Sequence, residues 1–142
     1  MALTQVEPEL INLALEAAVI AGQEIQRIYN KGASGVAVTT KADQSPLTTA
    51  DLTSHRIINK LLQTTDIPIL SEEGKHLPYE ERKQWKRLWI VDPLDGTKEF
   101  IDNIGEFTVN IALVENGRPI VGVVYVPHWN RLYLGKANTR EE

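Results

Sequence analysis

The chain contains no cysteine, which excludes disulfide staples and thiolate metal sites and fits a reducing compartment. It has no basic excess either. Against 15 Lys and Arg stand 19 Asp and Glu, giving a formal net charge of −4, so there is no positive stripe to track a nucleic-acid backbone and no nucleic-acid polymer is expected as a partner. A small phosphorylated ligand remains compatible if a metal ion supplies positive charge locally. Long hydrophobic runs are also missing: the longest, Leu10 to Gly22, is broken by Asn12 and Glu16 and is too short to span a bilayer. Met1 to Glu9 is acidic and polar, where a secretory leader would place Lys or Arg before an apolar segment. These features point to a cytoplasmic protein without a transmembrane segment. His55, His76 and His128 are scattered, with no His-x-His or His-Glu-x-x-His spacing to suggest zinc, and no hydrolase elbow or P-loop is present. Covalent catalysis is therefore the weaker expectation. Trp85, Trp89 and Trp129 read as packing residues.

What is present is an ordinary globular composition, 42% hydrophobic and 24% charged over 142 residues, enough for one domain with a core and no staples. Pro8 to Lys31 reads as a long amphipathic helix, with Leu10, Leu13, Ala14, Ala17, Ala18, Ala21, Ile25 and Ile28 at three- and four-residue intervals and Gly32 as its stop. Val36 to Lys41 reads as a short strand or edge segment. A polar loop containing Pro46 leads to Asp51, and a second helix over Leu52 to Gln63 follows, with Asp51 in the N-cap position. Ile67 to Leu70 reads as a strand running into Ser71-Glu72-Glu73-Gly74, and Pro78 to Gln84 as a helical turn. Thr108 to Glu115, Arg118 to Val126 and Arg131 to Leu134 read as strands, the first two joined by Asn116-Gly117, a strong hairpin signal.

The chain is organised around Trp89 to Phe100, Trp-Ile-Val-Asp-Pro-Leu-Asp-Gly-Thr-Lys-Glu-Phe. Leu88 to Val91 reads as a strand buried on both faces, which Pro93 ends just after Asp92 by removing a donor. Asp95-Gly96-Thr97 reads as the opening of a short helix, with Asp or Thr as its cap and free N–H groups facing an anion. Asp92 and Asp95 then flank a tight turn with the Leu94 carbonyl between them, an oxygen set of the kind that hard divalent cations select. Two carboxylates about 4 Å apart repel by roughly 4 kcal/mol at an effective dielectric near 20, so they need a cation, a proton or a basic partner. The plainer alternative makes Asp92 a turn cap and Asp95 a helix cap. Glu72 would join them if its strand neighbours theirs; otherwise Ser71 to Gly74 is a solvated turn. Lys41 is either a solvated charge or a group near a substrate phosphate.

Asp92-Pro-Leu-Asp95-Gly96-Thr97 resembles the signature of the magnesium-dependent, lithium-sensitive phosphatases related to inositol monophosphatase, and the continuation Lys98-Glu99-Phe100 resembles their branch that hydrolyses adenosine 3',5'-bisphosphate. The resemblance implies an α+β fold, a layered sandwich with two long helices packed on an antiparallel sheet. It also implies a metal-activated water that attacks a phosphomonoester without a phosphoenzyme. Two or more Mg²⁺ ions, with Mn²⁺ as a substitute, would be held by Glu72, Asp92, Asp95 and the Leu94 carbonyl. Asp51, Glu72 and Thr97 would be the catalytic set, and Glu72, Asp95, Gly96 and Thr97 would bind substrate. A small phosphorylated nucleotide is the implied substrate, in a process linked to sulfate assimilation. Peripheral attachment to the inner face of a membrane and a homodimer stay open. An inositol or sugar phosphate phosphatase of the same fold, and a non-catalytic module, are the competing readings. The resemblance covers nearly all of this chain but about the first half of the family's length. Nothing after Leu134 matches the second α/β half, whose Trp-Asp-x-Ala motif completes a metal site, so residues 1–142 are expected to be the N-terminal metal-phosphatase domain of a longer protein.

Overall fold

A computed structural model of the chain describes residues 6–31, 38–40, 46–71, 78–102 and 104–137. Helix α1 runs over Pro8–Tyr29, with Pro8 in its first turn, where a missing N–H costs nothing. Its Asn30 cap lies before Gly32, the expected stop, which falls outside the described residues. The inward stripe of α1 is Ala14, Ala17, Ala18, Ala21 and Gly22, all buried, and these small residues let the helix lie close to its neighbours. Gly22 marks the closest approach: a Cβ there would come within 2.3 Å of the Tyr125 ring.

Strand β1 (Val38–Thr40) pairs antiparallel with β2 (Pro46–Thr48), a short strand where the sequence suggested only loop. Helix α2 follows over Thr49–Leu62 and starts earlier than its apolar pattern implied. Asp51 is not its N-cap. Thr48 takes that position, and Asp51 sits three residues on, completing a capping box in which the Thr48 hydroxyl meets the Asp51 N–H and the Asp51 carboxylate folds back to the Thr48 backbone. The first β-branched hydroxyl in the segment thus outcompetes the carboxylate for the cap and leaves the carboxylate buried inside the first turn.

The main sheet has five strands in the order β3-β4-β5-β6-β7, comprising Ile69–Ser71, Arg87–Asp95, Thr108–Glu115, Arg118–Val126 and Arg131–Lys136. Helix α3, Tyr79–Arg82, is a single turn between β3 and β4. The sheet is mixed: β3 lies parallel to β4, and the other neighbours are antiparallel. Asn116 and Gly117 join β5 to β6 with φ of 51° and 78°, the paired left-handed conformations of a type I′ turn. Helices α1 and α2 pack on one face of the sheet, and the core between them holds Trp89, Val109, Ile111, Leu113, Val121 and Val123. Trp89 is fully buried and donates its indole N–H to the Thr65 hydroxyl at 3.2 Å. Trp129, by contrast, is 54% exposed and is no core residue. It lies in a short 3₁₀ turn, Pro127–Trp129, that carries the chain round to the edge strand β7.

A basic clamp ties the layers at one end. Arg87, the first residue of β4, donates to Glu115 at 2.8 Å and reaches both carboxylate oxygens of Glu7, the α1 cap residue, at 2.8 and 3.1 Å. The Arg87 guanidinium holds the Glu7 carboxyl below the usual range, and the two carboxylates push the arginine pKa up. Among the described residues no helix is long and apolar enough to cross a membrane.

Candidate active site

Strand β4 does not stop at Asp92 as Pro93 suggested. It continues to Asp95 through a break in register: Asp92 faces Asn110 and Asp95 faces Thr108, three steps on β4 against two on β5. One extra residue is therefore accommodated as a β-bulge, and a bulge tolerates Pro93 because no ladder donor is required there. Pro93 and Leu94 are buried while Asp95 is exposed, so the bulge turns the acidic end of the motif outward over a fixed apolar foot.

Gly96 follows with φ of 93° and caps α4, Thr97–Ile101. The expected Asp or Thr side-chain cap is absent. Glycine is needed twice over here, since φ lies in the left-handed region and a Cβ would stand 2.9 Å from the Glu106 carbonyl oxygen. This sharp turn swings Thr97 back towards α2. Its hydroxyl donates to Asp51 Oδ1 at 2.9 Å, while Asp51 Oδ2 accepts from the Thr48 N–H at 3.0 Å and the Thr48 hydroxyl at 2.5 Å. Asp51 is fully buried, and both of its oxygens are held by donors, so its orientation is fixed by two elements at once. One turn along the same helix, Ser54 donates to the Pro93 carbonyl at 2.6 Å and pins the bulge itself.

The Glu72 strand is the neighbour that the metal expectation required. β3 lies parallel to β4 with Ser71 opposite Val91, one residue before Glu72 and one before Asp92 respectively. Glu72, with Glu73, His76 and Lys41, lies outside the described residues. Among the described residues no group of three or more His, Cys, Asp or Glu is close enough to hold a metal. What they supply is part of an oxygen shell: two carboxylates and the intervening Leu94 carbonyl on one bulge, donors of the type a hard divalent cation takes. The donor chemistry therefore fits a hard divalent cation.

Three residues that the sequence did not assign to the site also take part. Ser54 fixes the bulge. His55, on α2, is hydrogen-bonded to the Ser71 hydroxyl at 3.1 Å and ties α2 to the end of β3. Asn110, on β5, donates to Asp95 Oδ2 at 3.3 Å. Ser54 and His55 stand three and four residues after Asp51, so helical periodicity was the one available signal; Asn110 was marked only by its place on the alternate face of a strand. Asp92 and Asn110 are among the residues lining a cavity of about 400 Å³ whose walls also include Leu70, Arg82, Ile90 and Val124, on the sheet face away from α1 and α2.

Residues 7–141 match the inositol monophosphatase family. The chain belongs to that family. It is 53% identical over 115 residues to the 3'(2'),5'-bisphosphate nucleotidase CysQ of Escherichia coli O157:H7, covering 80% of this chain and 46% of that protein. Among solved structures it is similar to CysQ from Bacteroides thetaiotaomicron, a bacterial member of the inositol monophosphatase family, with a TM-score of 0.79 and 49% identity over 92% of this chain and 47% of that one. The extragenic suppressor protein suhB of Bartonella henselae gives a TM-score of 0.82 at 29% identity, covering 92% and 50%. The chain thus spans about half the length of the relatives it matches. Its α+β architecture, with helices layered on the sheet, is the inositol monophosphatase fold.

Proposed function

We propose that this chain carries the metal-holding and water-orienting residues of a phosphomonoester hydrolase that removes the 3'-phosphate of adenosine 3',5'-bisphosphate, giving AMP and phosphate. The observation that carries the reading is the Thr97 hydroxyl bonded to a fully buried Asp51 immediately beside the Asp92–Asp95 bulge. Two or more Mg²⁺ ions, or Mn²⁺, would polarise phosphate oxygens, lower the pKa of the attacking water and stabilise the leaving oxygen. Glu72, Asp92, Asp95 and the Leu94 carbonyl are the residues to hold them. Thr97 donates its own hydrogen to Asp51 and so keeps its oxygen lone pairs for a water hydrogen, which aims that water's lone pair away from the dyad and towards the phosphorus. Because Asp51 is locked by Thr48, the aim costs no reorganisation on binding. Glu72 would join the dyad in positioning the water. The Gly96 and Thr97 backbone, with Glu72 and Asp95, forms the substrate contact in this reading.

The nucleotide preference is supported by Lys98-Glu99-Phe100 and by the named activity of the relatives. Of these three residues Phe100 is a core residue, packed edge-on against Phe107 and tilted against Tyr29, whereas Lys98 is exposed beside the motif. A cytoplasmic location and a place in sulfate assimilation go with the same reading. Phosphate release from adenosine 3',5'-bisphosphate and from inositol 1-phosphate, compared with the full chain at saturating Mg²⁺, tests it. A preference for the nucleotide is expected, and a preference for the inositol ester would overturn the substrate assignment.

A further inference from the structure

Asn110 stands where the two acidic groups of the bulge meet β5. It is the cross-strand partner of Asp92, so the two side chains share a face of the sheet, with Cβ atoms about 5 Å apart in such pairs. Its amide Nδ2 donates to Asp95 Oδ2 at 3.3 Å. Its other polar atom, Oδ1, is buried and has no hydrogen-bond partner among the described residues. A buried acceptor left without a donor is destabilising, and a leucine of similar shape would avoid that cost on a strand otherwise rich in apolar residues. An amide that donates to one acidic group, lies opposite another and keeps an unfilled buried acceptor is therefore unfavourable for folding alone. It suits a site that receives a hydrated cation: the N–H sets the rotamer of Asp95 by occupying one oxygen, and the carbonyl awaits a donor that arrives with the cation.

We propose that Asn110 is a positioning residue of the metal site, which fixes Asp95 through Nδ2 and accepts through Oδ1 a hydrogen bond from a water of the cation's hydration shell. The inference rests on the metal reading of Asp92 and Asp95. Mg²⁺ sheds its water reluctantly and keeps several of its hydration waters when bound, so an acceptor next to the carboxylates has a defined task. Partners of this kind typically contribute 10–100-fold to metal affinity.

Calorimetric titration of the full chain with Mn²⁺, for the wild type, Asn110→Leu, Asn110→Ala and Asp95→Asn, tests the proposal, together with the melting temperature of each without metal. The expected result is an affinity about 10–100-fold lower in both Asn110 variants. Without metal, Asn110→Leu should melt no lower than the wild type. Unchanged Mn²⁺ affinity in a folded Asn110→Leu or Asn110→Ala, with Asp95→Asn still defective, overturns the role of Asn110 and leaves the metal reading standing. If the wild type binds no Mn²⁺, or Asp95→Asn binds it as well as the wild type does, the metal reading itself fails and this inference falls with it. Loss of folding in both Asn110 variants marks the residue as structural and also overturns the proposal.

Discussion

Asp51 shows how one side chain can serve two ends of a fold. Its Oδ2 completes the capping box of α2, and its Oδ1 receives the Thr97 hydroxyl from the far side of the motif. The two bonds are separable by mutation. Thr97→Val removes the donor to a buried oxygen, which should cost about 1–3 kcal/mol of stability and lower turnover by orders of magnitude; Thr97→Ser keeps the hydroxyl and should restore most of both. Thermal melts and phosphate release on this pair check the assignment, and equal activity of the Val and Ser variants would contradict it. Gly96 is the other residue whose identity is dictated locally. At φ of 93°, and with the Glu106 carbonyl oxygen only 2.9 Å from where an alanine methyl would sit, Gly96→Ala should lose about 1–3 kcal/mol and displace Thr97 from Asp51.

At the scale of elements, the strands β5 and β6 were legible to the residue, because alternating apolar positions and the Asn116-Gly117 turn are local signals. The end of β4 was not. Pro93 correctly marks a missing ladder donor, but only the partner strand reveals that the missing donor is absorbed by a bulge and that pairing resumes at Asp95. The parallel setting of β3 likewise depends on tertiary packing, as do Ser54, whose partner Pro93 is 39 residues away, and Asn110, 15 residues from Asp95. Asp51 was legible as a helix-start carboxylate and as a candidate by resemblance, though Thr48 and not Asp51 is the cap. The Arg87 clamp gives this scale its own prediction. Because the folded Glu7 carboxyl is held below its usual pKa, its contribution is complete at neutral pH and is lost as acid carries the pH down through that lowered value. Glu7 is about half exposed, so the pair is worth at most about 1 kcal/mol. Glu7→Gln should therefore melt slightly below the wild type at neutral pH, and the difference should vanish below the carboxylate range; a difference that grows in acid would contradict this.

For the whole molecule, the helices make the two sheet faces unequal. Ile111 is 1% exposed beneath α1 and α2, while Ile90 on the opposite face is 43% exposed. Ile111→Ala should cost about 2–5 kcal/mol and Ile90→Thr within about 0.5 kcal/mol, a contrast that denaturant unfolding measures directly. Asp92 and Asn110 are among the residues lining the cavity on that open face, so one of the candidate metal ligands, Asp92, borders the less covered side of the sheet. Through Asp51 and Ser54 the covered side holds the motif rigid, and the open side leaves its acidic end accessible.

If the β4 bulge holds a divalent cation, Asp95→Asn should expose it, because the substitution keeps the shape of the side chain while removing its charge. Mn²⁺ titration of the full chain by calorimetry should show saturable binding in the wild type and binding weakened by roughly 100-fold or more, through the loss of a charged ligand, in Asp95→Asn. The metal-free melting temperature of the variant should be equal or slightly higher, since repulsion against Asp92 is relieved. Equal Mn²⁺ affinity in the two proteins would mean that Asp95 is no ligand and that the bulge is not a cation site.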